Sequence, residues 1–181
     1  QWGGGALFDL GVHPIAIAVL VGRAIGAGEI VAVSAKLDGE ITDTHAEVEL
    51  SFANGLKASV VSSWQGSETP EWNFQVASDQ GVVRAELMPN LILEHNGDEV
   101  SLPPATAPIP FIQQFGYTGQ LQAFAEDLTN HTTPFMDIAF GRWIMEIACA
   151  GYVSARHDSQ EIAVPSGCDR FCSPLELWKT I

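Results

Sequence analysis

The residues best placed to do chemistry lie near the start of the chain. Asp9 and His13 stand four positions apart within Gly3-Gly4-Gly5-Ala6-Leu7-Phe8-Asp9-Leu10-Gly11-Val12-His13-Pro14. On a helix or in a tight helical turn that spacing sets both side chains on one face. A charged group is costly to bury unless it is paired. Asp9, flanked by Leu7, Phe8, Leu10 and Val12, is therefore expected to be partnered, with His13 the nearest candidate. A carboxylate that holds one imidazole nitrogen leaves the other free to act as an acid or base near neutral pH. The same spacing also suits a helix-entry cap beside a satisfied core histidine, and spacing alone leaves both readings open.

Other groups with chemical potential are dispersed. His45 and His157 could join His13 in a metal site, but their scatter in sequence favours surface or packing roles. Cys168 and Cys172 lack the second ligand pair that a zinc site needs, and no metal is expected. With Cys149 they make an odd number, which fits no disulfide framework and points to a reducing, cytoplasmic setting. Trp64 and Trp72 read as core or interface aromatics.

The elements that must position Asp9 and His13 follow from hydrophobic period. Ile15 to Val21 is almost uniformly apolar, and Pro14 suits the first turn of a helix over about His13 to Val21, with Gly22 as its terminator. Asp9 then falls in an irregular approach or a distorted first turn, because the Pro14 ring would collide with the Leu10 carbonyl in a regular helix. From Glu29 the period becomes two. Val31, Val33, Ala35 and Leu37 predict one strand face, and Ala46, Val48, Leu50 and Phe52 the next. Asn54-Gly55 marks a hairpin. A three-residue loop with a left-handed Gly55 pairs Phe52 with Leu56, Leu50 with Ala58 and Val48 with Val60, which keeps one face apolar.

Trp72, Phe74 and Val76 alternate in a further strand, and Asp79-Gln80-Gly81 turns it into Val82 to Leu87. Leu91 to His95, Asn96-Gly97 and Glu99 to Leu102 predict another hairpin. A proline-rich loop, residues 103–110, separates the strands from helical spacing at Leu121, Phe124, Ala125 and Leu128. Asp137 suits the N-cap of a longer helix with the stripe Phe140, Ile144, Ile147, Ala148 and Gly151, ending near Arg156. A short strand over Glu161 to Val164 and a tail fastened by Leu175 and Trp178 complete the reading. The fold class is α+β: a mainly antiparallel, open-faced sheet with helices on one face, in a single domain over residues 1–181. The uncovered face, with Ser59, Val61, Asn73, Gln75 and Ala77, invites self-association.

Bulk composition narrows the partners. Lys and Arg total 8 against 22 Asp and Glu, for a net charge of -14, which disfavours nucleic acid and anionic membrane. No stretch reaches the roughly 18 apolar residues of a membrane span. The chain opens on Gln1-Trp2-Gly3 and is expected to start within a longer protein.

The glycine-rich opening resembles the "GGGxLxDxGxH" signature of the glucose–fructose oxidoreductase / inositol dehydrogenase (Gfo/Idh/MocA) family. Phe52-Ala53-Asn54-Gly55 resembles that family's "F-x-N-G" hairpin, and the helix ending in Ser154-Ala155 with the strand Glu161 to Pro165 also matches. The resemblance implies the C-terminal half of a two-domain NAD(P)-dependent dehydrogenase, with a dihydrodipicolinate reductase-like C-terminal domain. It implies a sugar, polyol or related small-molecule substrate, and a homo-dimer or tetramer formed through the open sheet face. The Rossmann domain, the Glu-Lys-Pro lysine and the NAD or NADP site would lie outside this chain, which is expected to hold no cofactor and to be inactive alone. Gly26-Ala27-Gly28 precedes a strand and opens no helix, so it is not a dinucleotide loop. The resemblance assigns His13 as general acid or base at a substrate hydroxyl, beside hydride transfer to the nicotinamide of the other domain, with Asp9 orienting it. It places substrate contacts at Tyr117, while Gly5 is read as backbone brought close to substrate. Two alternatives remain: a non-catalytic binding or oligomerisation module on the same scaffold, and a metal-dependent lyase or hydrolase using Asp9, His13 and His45.

Overall fold

The computed structural model describes residues 3–66, 70–101 and 116–179. It divides into two compact units, one built from residues 1–65 and 138–181 and the other from residues 66–137. The first unit carries the candidate site.

Its chain begins with a single π-helical turn, Leu7–Gly11, which runs straight into helix α1, Val12–Ala24. The expected distortion before Pro14 thus takes a definite form. Pro14 has no N–H to offer Leu10, and its ring crowds that carbonyl in a regular helix. A wider turn accommodates both, and such turns recur where a helix carries function. Helix α1 runs past the expected terminator. Gly22 is buried inside it, because Phe52 packs where a Cβ would sit: its Cε1 would be only 2.2 Å away. The helix stops at Ile25, followed by a left-handed Gly26 (φ 71°).

Taken together, Leu7–Ala24 is long and apolar enough to cross a membrane by length and composition, where the sequence pattern predicts no such stretch. Its buried residues Leu7, Ile15 and Val19 belong to the core of this unit. Burying each such side chain contributes about 1.5–3 kcal/mol.

Strands β1 (Ile30–Asp38), β2 (His45–Phe52) and β3 (Lys57–Ser63), with the late strand β8 (Ile162–Ala163), form an antiparallel sheet in the order β3-β2-β1-β8. Ala46, Val48, Leu50 and Phe52 are all buried, as their alternation requires. The hairpin register is the expected one: Leu50 faces Ala58 and Val48 faces Val60. The Phe52 N–H donates to the Leu56 carbonyl at 2.8 Å, and Gly55 is left-handed at φ 89°. One position departs. Val31 points to solvent while Ile30 is buried, because a bulge between Ile30 and Ala32 reverses the parity of the strand's first residues.

Helix α3 (Ile138–Arg156) lies on this sheet and buries the full expected stripe of Phe140, Ile144, Ile147, Ala148 and Gly151. Asp137 stands immediately before it. The short strand β8 (Ile162–Ala163) pairs with β1 only at Ala32 and Val33. Beyond that pairing the Ala35 N–H donates instead to the buried Ser154 Oγ of α3 (2.9 Å), which donates in turn to the Gln160 carbonyl (2.6 Å). One hydroxyl thus satisfies a sheet edge and a helix-to-strand turn. The tail folds into helix α4 (Pro174–Trp178), capped by Ser173 and Glu176, and it is Leu177 rather than Leu175 that becomes buried.

The second unit has its own antiparallel sheet, in the order β4-β5-β6-β7, from β4 (Trp72–Ser78), β5 (Gly81–Met88), β6 (Ile92–His95) and β7 (Asp98–Glu99). The hairpin succession predicts one sheet; among the described residues the hydrogen bonds form two. Helix α2, Tyr117–Asn130, follows. Its apolar stripe is present as spaced but not buried, with Leu121 68% and Leu128 62% exposed. The loop read over residues 103–110 and the Leu102 end of its preceding strand lie outside the described residues. The α+β, antiparallel reading holds.

Candidate active site

The glycine-rich segment is held from below by a buried polar clamp that the sequence did not reveal. Asp43, in the loop between β1 and β2, is fully buried. Its Oδ2 accepts the Leu7 N–H at 2.7 Å, and its Oδ1 accepts the Tyr152 hydroxyl of α3 at 2.8 Å. The Tyr152 oxygen accepts the Gly5 N–H at 3.2 Å, and the Asp43 carbonyl accepts the Ala6 N–H at 2.8 Å. Ala6 occupies the N-cap of the π turn and has no polar side chain. Asp43 therefore supplies the cap from another part of the chain, placing a carboxylate at the positive end of the helix. Burial pushes the Tyr152 phenol far above its ordinary value, and the adjacent Asp43 adds to the effect, so it donates as a neutral hydroxyl.

Gly5 is required by this clamp. A Cβ there would stand 2.0 Å from the Asp43 carbonyl oxygen and 2.4 Å from its Oδ1. Gly11 and Gly151 serve similarly on either side of Leu7. A Cβ at Gly11 would meet Leu7 Cδ1 at 2.7 Å, and one at Gly151 would meet Cδ2 at 3.1 Å. The glycines thus admit neighbours from their own fold, where the sequence suggested backbone bared for a substrate.

Above the clamp, the exposed side of the π turn carries Asp9, and the first turn of α1 carries His13. The burial expected for Asp9 does not occur. Phe8, Asp9, Leu10 and His13 are all exposed, because the buried face of this segment is taken by Leu7, Gly11 and Ile15. The Asp9 Oδ2 accepts the Trp64 indole N–H at 3.1 Å. Trp64, read from sequence as a core or interface aromatic, is 47% exposed and sits just past β3. Of the other assigned residues, Gly5 is buried beneath the turn, and Tyr117 is the first residue of α2 in the second unit. His45 faces Glu47 at 3.4 Å. Among the described residues no three His, Cys, Asp or Glu side chains converge as a metal site.

Residues 1–84 match the family model described as GFO/IDH/MocA C-terminal domain. The family resemblance is borne out over that segment. No curated protein matches the chain. Solved structures extend the likeness to most of its length. Levoglucosan dehydrogenase in complex with NADH and levoglucosan superposes with a TM-score of 0.74 at 21% identity, over 90% of this chain and 50% of that one. The WlbA dehydrogenase from Bordetella pertussis, in complex with NADH and UDP-GlcNAcA, gives 0.67 at 18%, over 91% and 49%. An oxidoreductase domain protein from Kribbella flavida gives 0.70 at 15%, over 90% and 52%. At these identities the match carries the fold, and the chain spans about half the length of each.

The described residues do not form a nucleotide cradle of the strand–turn–helix kind. Gly26 and Gly28 are both left-handed, at φ 71° and 80°, but they lead from helix α1 into strand β1, the reverse of the order that aims a helix N-terminus at a phosphate.

Proposed function

We propose that this chain is the substrate-binding half of an NAD(P)-dependent oxidoreductase of the Gfo/Idh/MocA type, acting on a hydroxyl of a sugar, polyol or related small molecule. The observation that carries this reading is the display of Asp9 and His13 on the exposed side of a turn whose other side is locked by Asp43 and Tyr152. In this role His13 exchanges the hydroxyl proton of the substrate, and Asp9 orients the imidazole and balances its positive form. A rigid base lowers the barrier by holding the proton-transfer geometry in advance. Tyr117 is a proposed substrate-side residue through its half-exposed ring, while Gly5, whose N–H and carbonyl bond to Tyr152 and to the Asp9 N–H, supports the turn from beneath. The nucleotide is assigned to a separate domain, since Gly26–Gly28 does not suit it. The reading extends to self-association through the exposed face of the first sheet, a shallow surface of mixed polarity bearing Lys36, Glu47, Glu49, Ser59 and Val61.

The test is a spectrophotometric assay of the full-length oxidoreductase for NAD(P)H formation across a panel of sugars and polyols. His13→Ala is expected to lower kcat by roughly 10²–10⁴, the usual contribution of a general base. Calorimetry on the 181-residue chain should detect no NAD binding. Retained activity in His13→Ala, or micromolar NAD affinity of the chain alone, overturns the assignment.

A further inference from the structure

The bond from the Trp64 indole to Asp9 joins two exposed groups 55 residues apart, and its anchoring sets it apart from a casual surface contact. The Trp64 N–H donates to the Thr44 carbonyl at 2.8 Å, so the backbone beneath the indole is tied to the β1–β2 loop. Its neighbours are tied to the same residue. Ser63 Oγ donates to the Thr44 carbonyl at 3.5 Å and accepts the Gln65 N–H at 3.0 Å, and the Gln65 amide donates to Thr44 Oγ1 at 2.5 Å. Thr44 directly follows Asp43, whose carboxylate caps the turn that carries Asp9. Donor and acceptor are thus both suspended from two consecutive residues of one loop.

We propose that Trp64 is a positioning residue for Asp9, holding its Oδ2 so that Oδ1 is the oxygen presented to His13 or to a substrate hydroxyl. Indole suits the task chemically. Its N–H donates and never accepts, and it does not titrate, so it fixes a carboxylate without competing for the proton being moved. An exposed aspartate with neither oxygen held would populate several rotamers, and only a fraction would be productive. The assignment of a role in turnover rests on the reading of Asp9 and His13 given above; the positioning itself does not.

The experiment has two arms. In the ¹⁵N-labelled 181-residue chain, the Trp64 indole resonance is followed by NMR through the range where carboxylates titrate. It is expected to inflect with the protonation of Asp9, to lose that inflection in Asp9→Asn, and to keep it in His13→Ala. An indole resonance that ignores pH, or is indifferent to Asp9→Asn, overturns the proposal. Asp9→Asn reads through Trp64 itself, so this arm stands even if Trp64→Phe does not fold. In the full-length oxidoreductase, Trp64→Phe keeps the aromatic surface and removes the donor. It is expected to lower kcat roughly tenfold, equivalent to about 1.4 kcal/mol of barrier, with KM changed less than about twofold, and Trp64→His, which restores a ring N–H, should recover part of the loss. Full kcat in Trp64→Phe alongside a dead His13→Ala overturns the turnover role of Trp64 and leaves the acid–base reading intact. Activity that survives His13→Ala overturns that reading instead, while the NMR arm still decides whether Trp64 holds Asp9.

Discussion

Removing one oxygen atom, in Tyr152→Phe, tests the clamp most directly. The ring remains, so no cavity opens, and two bonds disappear together. Asp43 Oδ1 loses the hydroxyl that donates to it at 2.8 Å, and the Gly5 N–H loses its acceptor at 3.2 Å. Both sites are inaccessible to solvent: Asp43 and Tyr152 are fully buried and Gly5 is buried. A hydrogen bond to a charged acceptor contributes about 1.5–3 kcal/mol net, and a buried donor left without a partner costs about 1–3 kcal/mol. Allowing for partial relaxation, the variant should lose roughly 3 kcal/mol, a large part of the stability of an ordinary domain. At about 2–4 °C per kcal/mol for a chain of this size, Tm should fall by roughly 6–12 °C in a thermal scan. The pH dependence adds a second readout. Burial raises the Tyr152 phenol above its unfolded value near 10. The contribution of the neutral hydroxyl is therefore complete below about pH 10 and declines as pH rises above it. Tyr152→Phe should flatten that alkaline decline relative to the parent chain. A loss below about 1 kcal/mol, with an unchanged alkaline limb, would refute the reasoning, since it would mean that water or a rearranged loop replaces the hydroxyl at no cost.

Two further outcomes follow from local geometry. Gly5→Ala forces a Cβ against the Asp43 carbonyl at 2.0 Å and should destabilise by more than about 3 kcal/mol or prevent accumulation of folded chain, whereas Gly141→Ala on α3, where a Cβ meets nothing, should stabilise by about 0.5–1 kcal/mol; denaturant titration of the pair separates steric fit from helix propensity. Burial foremost, with Cys168 and Glu146 nearby, pushes the Cys149 thiol up to about 11 from 9.0. In a Cys168→Ser/Cys172→Ser background at pH 8, where burial and Glu146 still act on the thiol but Cys168 does not, Cys149 should therefore react with a thiol reagent more slowly than an unperturbed thiol, by up to about 100-fold.

Much of the first unit was legible because short-range rules and burial agree there. The strands β2 and β3 keep their register through Asn54-Gly55 since a one-residue slip would turn Val48 and Leu50 to solvent. The α3 stripe was legible for the same reason, as five apolar residues at helical spacing have one low-energy place to go. Where local pattern and tertiary packing parted, the sequence misled. Gly22 looks like a helix terminator and is instead a slot for Phe52. Leu121 and Leu128 are spaced as a buried stripe and stay exposed.

At the candidate site the division is sharper. The sequence alone placed Asp9 and His13 on one short turn, required that turn to be distorted before Pro14, and supplied the glycines that resemble a known signature. It could not show that Asp43, one more acidic residue in an acidic loop, is the buried cap of that turn. Nor could it show that Tyr152 completes the cap from 109 residues away, or that Trp64 reaches Asp9 from the end of β3. Such bonds join residues distant along the chain, so packing decides which partners meet, and at Asp43 and Tyr152 it also excludes the water that would weaken the bond. Spacing therefore determined which side chains could act together, and the tertiary structure decided which of them are held still.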